Sequence, residues 1–205
     1  MSTRHEAAAA AVAVQAASCQ TWAELDAVAR RCTACPDLVL SRSTVVIGDA
    51  PEDSRLVLVG EAPGAEEDRT GRPFVGRSGR LLDELLAEAG LARDQVAVLN
   101  VVKCRPPQNR TPGSAEVANC GGWLDRQLTL LAPELICTLG LSAMQRFLGR
   151  RMTLTAARGV VHDHAGTRLV ATYHPSAALR FGPHGAPRAA LREDLRTVAG
   201  LLTAP

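Results

Sequence analysis

Four short apolar runs, at residues 56–59, about 96–101, about 135–139 and about 169–172, are separated by stretches with the spacing of amphipathic helices. Apolar runs of that length, without the polar alternation of a half-exposed strand, read as strands of a parallel sheet covered on both faces. The chain is therefore expected to adopt an α/β fold in three layers, α/β/α. Helices are expected at about 78–89, closed by Gly90 in the position that left-handed caps favour, at about 114–131, from about 142, and at about 188–202. The N-terminus reads as helical, with Thr21-Trp22-Ala23-Glu24 as a capping box ahead of LDAVARRC, and residues 36–54 read as irregular. This divides the chain into a helical N-terminal extension, 1–30, and a single domain, 31–205.

A length of 205 residues with 46% apolar content suits one sizeable core. Aromatic residues make up only 3%, so packing rests on Leu, Val and Ala, and Phe74 stands out. No apolar run approaches the ~20 residues that span a membrane, and the Ala-rich start carries Glu6 and Gln15 without the layout of a secretory signal. A cytoplasmic protein with no membrane partner, acting as a monomer, is expected. The net charge of +2 does not by itself indicate a nucleic-acid partner. From Leu141 onward, however, nine Arg face three acids, a bias that could follow a phosphate backbone or could be solvated helix faces.

The first apolar run, LVLV, breaks at Gly60 into GEAPGAEEDRTGRPFVG, a loop of acids, glycines, prolines and one phenylalanine. In an open α/β sheet, ligands sit at the carboxyl ends of the strands. Strand ends here present Glu61 and Glu67, then Asn100, then His174 in TYHPSA. An Asn amide offers one acceptor and two donors, enough to read a pyrimidine edge that alternates C=O and N–H groups. Phe74 could stack on such a ring, and His174 could donate to an oxygen on which charge develops. Taken singly, each has a structural alternative: a turn cap, a core side chain, a satisfied loop histidine.

Six cysteines without a secretory signal point away from a disulfide framework and toward metal or catalysis. Four of them form a pattern, Cys32-x-x-Cys35, then Cys104 in VVKCRPP, then Cys120 after 15 intervening residues. Four thiolates would make a closed, structural site, and their spacing does not choose between zinc and a [4Fe–4S] cluster. Cys19 and Cys137 read as packed thiols.

GEAPGAEEDRTGRPFVGRSG, LNVVKCRPPQNRTP with Cys120 following, YHPSAALR and the early CxxC together resemble the family 4, iron–sulfur uracil-DNA glycosylases. The likeness runs from about residue 32 to 202. It implies a central four-stranded parallel sheet, a [4Fe–4S] cluster on Cys32, Cys35, Cys104 and Cys120, and hydrolysis of the N-glycosidic bond of deoxyuridine in DNA. By the same resemblance, Gly60, Glu61, Ala62 and Pro63 would line the uracil pocket. Phe74 would stack on the base, Asn100 would bond its edge, His174 would face O2, and Glu67 falls on an acid needed for activity. The catalytic set is thus Glu61, Glu67, Asn100 and His174, with a water that Glu67 or Glu61 places and no Schiff-base step.

The chain departs from the better-known branch of that superfamily, in which an Asp stands at the position of Ala62 and a tyrosine at that of Gly64. Exclusion of thymine is then expected to come from elsewhere, with Glu67 a candidate. No histidine follows Lys103 in CRPPQNRTP, so covalent trapping of product is not expected. For DNA, Ser176 would meet phosphates, Leu179 or Arg180 would fill the gap left by the flipped nucleotide, and Arg77 and Ser78 open a helix whose free amides suit a phosphate. Three other readings stand beside this one. They are a non-catalytic nucleic-acid-binding module of the same fold, a glycosylase of broader deaminated-base range, and a zinc-stabilised hydrolase of another nucleotide.

Overall fold

The computed structural model describes residues 2–203. The elements in chain order are helices α1 (Ser2–Ser18), α2 (Trp22–Ala29) and α3 (Pro36–Ser41), strand β1 (Leu56–Gly60), helices α4 (Ala65–Thr70) and α5 (Arg77–Glu88), strand β2 (Val96–Asn100), helix α6 (Ser114–Leu131), strand β3 (Leu135–Leu139), helices α7 (Leu141–Leu148) and α8 (Leu154–Ala157), the hairpin β4 (Val161–His164) and β5 (Thr167–Thr172), and helices α9 (Pro175–Phe181) and α10 (Ala186–Thr203). One sheet runs in the order β2-β1-β3-β5-β4. The first four of these strands pair in parallel, with Leu56 opposite both Val96 and Leu135, and Leu135 opposite Arg168.

All five residues in each of β1, β2 and β3 are buried, as parallel strands covered on both faces require. Alternate residues feed opposite layers. Val57, Val59, Ala97, Leu99 and Ile136 pack with α1, α2 and α6, while Leu56, Leu58, Val96, Val98 and Cys137 pack with α5 and α10. Gly122 lets α1 close on α6, since a β-carbon there would sit 2.7 Å from the Ala13 α-carbon. At α2, Thr21 accepts the Glu24 N–H as expected, but the Glu24 carboxylate reaches one residue further back, to the N–H of Gln20.

The expectation of four parallel strands needs correction, because β4 adds a fifth, antiparallel to β5. Its residues alternate between exposed and half-buried, so VHDH shows no apolar run. The turn behind it places Ala165 and Gly166 at φ 51° and 85°, the left-handed pair that tight hairpins use. The segment 36–54 is also more ordered than expected: α3 begins with Pro36 at its first turn, and Asp49 exchanges two backbone hydrogen bonds with Val98, covering the outer edge of β2. Two stretches outside the expected helices, 65–70 in the loop after the first apolar run and 175–181, are the helices α4 and α9.

Candidate active site and cysteine centre

The carboxyl ends of β1, β2, β3 and β5 surround a cavity of about 370 Å³, at the point where the chain turns from one side of β1 to the other. Glu61, Ala62, Pro63, Gly64, Glu67, Phe74, Asn100 and His174 line it, together with Ser78 and Ser176. The fold thus gathers the pocket residues expected from sequence. Gly60 lies beneath the cavity: a β-carbon there would meet Asn100 Oδ1 at 2.5 Å and the Phe74 ring at 2.6 Å.

Asn100 is 2% exposed, and its Oδ1 has no hydrogen-bond partner. A buried, unpaired amide oxygen is costly unless a ligand completes it. Phe74 is held at φ 54°, unusual for a bulky residue, and Gly79 of α5 presses so closely that a β-carbon there would lie 1.7 Å from the Phe74 carbonyl oxygen. The ring stands 5.6 Å from that of His174 at a 39° tilt. This leaves a slot with an aromatic wall and an amide at its base.

His174 accepts at Nδ1 from the Ser176 backbone N–H at 3.1 Å, and the Ser176 hydroxyl lies 2.8 Å from the same nitrogen. With Nδ1 an acceptor, the proton of the neutral ring sits on Nε2. Burial lowers the His174 pKa to about 4, against a weaker opposing pull from Glu67, so the ring is a neutral donor near pH 7.

Glu67 is committed to the loop. Its carboxylate accepts the backbone N–H groups of Gly64, Val75 and Gly76 at 3.1, 3.0 and 2.8 Å, which ties the start of α4 to the start of α5 with Phe74 between. Glu61 instead accepts a hydrogen bond from the Ser142 hydroxyl. Ser142 was not expected from sequence, although it follows the end of β3 as Glu61 follows β1. The roof of the cavity, Pro106, Asn109, Arg110 and Leu141, was missed as well. Gln108 and Asn109 there adopt left-handed backbone, which the composition of a Pro-rich loop does not announce.

Of the residues expected to meet DNA, Ser78 and Ser176 lie on the cavity wall, and Arg77 and Arg180 are exposed near it in sequence. Leu179 is half-buried against the core formed by α5 and α10, which leaves Arg180 as the outward-facing member of that pair.

The four patterned cysteines lie in the layer opposite α5. Cys104 and Cys120 are buried, and Cys32 and Cys35 pack against the same apolar cluster. All six cysteines are free. Three of the four patterned sulfurs receive a donor: Arg42 Nη1 to Cys104 at 2.9 Å, the Lys103 backbone N–H to Cys120 at 3.3 Å, and Asn119 Nδ2 to Cys35 at 3.6 Å. Such donors suit thiolates rather than thiols. Burial and mutual repulsion nevertheless push the uncomplexed Cys35 up to about 11 and Cys120 up to about 12. A positive centre among them would reverse that preference. Among the described residues, no three His, Cys, Asp or Glu side chains converge closely enough to hold one metal ion.

This architecture has known counterparts. Residues 47–196 match the family model described as the Uracil DNA glycosylase superfamily, which defines the class. The chain is 50% identical over 153 residues to the type-4 uracil-DNA glycosylase of Thermotoga maritima, covering 74% of this chain and 79% of that protein. It is 42% identical to the type-4 enzyme of Pyrobaculum aerophilum, covering 77% of this chain and 84% of that one. Against the type-5 enzyme of the same organism, identity is 36%, with 71% and 78% covered. The chain belongs to the type-4 uracil-DNA glycosylases.

Proposed function

We propose that this protein excises uracil from DNA by hydrolysing the N-glycosidic bond of deoxyuridine, leaving an abasic site for repair. The observation that carries this reading is the unpaired, buried Oδ1 of Asn100, a residue that together with Phe74 lines the cavity at the carboxyl ends of the strands. A deoxyuridine flipped out of the helix presents N3–H, which Asn100 Oδ1 accepts, and O4, to which Asn100 Nδ2 donates. Phe74 stacks on the face of the ring.

As the C1′–N1 bond breaks, its electron pair leaves with uracil and spreads over N1, O2 and O4, while the sugar gains oxocarbenium character. His174 Nε2–H donates to O2. A neutral imidazole does this without surrendering its proton, and a preorganised donor of this kind contributes about 3–4 kcal/mol. Water adds at C1′ and its proton passes to Glu61, whose Oε2 is oriented by Ser142; the uracil anion takes up a proton from solvent after release. Glu67, with three amides on its carboxylate, shapes the loop and stands against Gly64, where it opposes a 5-methyl group. Lys103 Nζ donates to the Asn100 carbonyl and does not line the cavity, which supports a water nucleophile without a Schiff base. On the DNA side, Arg77, Ser78, Ser176 and Arg180 are assigned to the phosphates and the vacated stack.

Cys32, Cys35, Cys104 and Cys120 are assigned to a [4Fe–4S] cluster. The donor set is all thiol and three N–H groups address the sulfurs, the surroundings that stabilise cluster thiolates. When bound, the cluster supplies a structural tie between the α2–α3 connection, the loop after β2, and α6.

Incubation with a uracil-containing oligonucleotide, followed by alkaline cleavage of abasic sites, tests the reading. Strand breaks at uracil are expected, and an intact strand would refute it. A brown protein supports the cluster; a colourless, fully active one supports zinc or no metal.

A further inference from the structure

We propose that Lys103 is a positioning residue, a buried strut that carries the placement of the four-cysteine site through to Asn100. The inference rests on the glycosylase reading above and deepens it. Lys103 is 1% exposed, so its ammonium is out of reach of solvent and of the cavity. Its Nζ donates to the Asn100 carbonyl oxygen at 2.7 Å, and its backbone N–H donates to Cys120 Sγ at 3.3 Å. The next residue in the chain is Cys104. One side chain and its own peptide therefore touch both the strand end that presents the pyrimidine-reading amide and one sulfur of the four-cysteine site, that of Cys120.

The surrounding backbone makes this contact consequential. Beyond β2, Val101 and Val102 donate to the carbonyls of Gly60 and Glu61 at 2.9 and 3.0 Å, and Val46 donates to the carbonyl of Lys103 at 2.8 Å. Asn100, the floor glycine and Glu61 thus belong to one ladder, anchored at its far end by Cys104. Burying an ammonium is costly, and an apolar side chain of the same length would fill the space without that cost. The charge is explained if it serves what it touches, the Asn100 carbonyl, while the same residue's peptide N–H holds the Cys120 sulfur.

The test is a double-mutant cycle on the holoprotein with Lys103→Met and Asn100→Ala, singly and together. It reads single-turnover excision from a uracil-containing oligonucleotide alongside visible cluster absorbance. Lys103→Met is expected to keep the absorbance and to lower excision about 10- to 100-fold, the scale of a misplaced reacting group. In the Asn100→Ala background the same change is expected to cost less than about threefold, because the backbone carbonyl remains but the amide side chain whose placement it sets is gone. Equal losses in both backgrounds, or wild-type excision by Lys103→Met, would overturn the proposal. Should Lys103→Met be insoluble or colourless, the cycle is repeated with Lys103→Gln, which keeps an N–H donor: coupling to Asn100 supports the strut and additivity removes it. A wild-type protein that leaves the oligonucleotide intact refutes the glycosylase reading itself, whereas active wild type with additive losses refutes only the strut.

Discussion

At the scale of single residues, the site depends on protonation states set by burial. His174 has a pKa of about 4 in the folded protein against an ordinary value of 6.5, the chief cause being burial of the ring. Between those two values the unfolded chain binds a proton that the folded chain does not, so this residue's contribution makes stability fall as pH drops through that window and is neutral above it. The neutral donor at Nε2 persists throughout. Excision under single-turnover conditions is therefore expected to stay flat with respect to this group from about pH 8 to pH 5, with a decline near 4. A limb near pH 6.5 that disappears in His174→Gln would contradict the assignment. Asn100, Phe74 and His174 were legible in sequence as rare polar or aromatic residues at strand ends. Ser142 was not, because a serine after a strand has no distinguishing pattern until its hydroxyl is seen on Glu61.

At the scale of elements, the decisive piece is the segment between β1 and α5. Glu67 binds three backbone amides across it, and Gly79 allows α5 to lie against the carbonyl of Phe74. Gly79→Ala should force Phe74 or the helix to move, with a loss of about 1–3 kcal/mol from overpacking, read by urea unfolding. It should also lower excision, since the stacking wall shifts. A variant with wild-type stability and wild-type excision would show that the contact is not needed. The buried strands were legible because each is continuously apolar. The β4 strand was not, because a half-exposed edge strand with two histidines and an aspartate carries no such run. The α9 helix was hidden by its brevity and by a histidine in the cap position, where Ser, Thr, Asp or Asn is usual, although Pro175 at its first turn is an ordinary start signal.

At the scale of the whole molecule, a parallel sheet brings four loops to one end, and the apolar cluster that holds the four patterned cysteines packs one of them, the segment after β2, against α6 and the N-terminal helices. The cysteine spacing was legible. The donors that address the sulfurs, Arg42 and Asn119, were not, since 62 and 84 residues separate them from the thiols they meet. Cys104→Ala is expected to yield colourless protein with a lowered unfolding midpoint, because a structural cluster contributes to folding. Soluble, colourless and fully active Cys104→Ala would contradict that. The most direct test of the central claim, that one cavity both reads uracil and stabilises it as it leaves, is single-turnover release of uracil by wild type, Asn100→Ala and His174→Ala at matched cluster content. The account predicts release by wild type and a loss of about 100-fold or more in His174→Ala, with Asn100→Ala also impaired. Wild-type rates in both variants would contradict it.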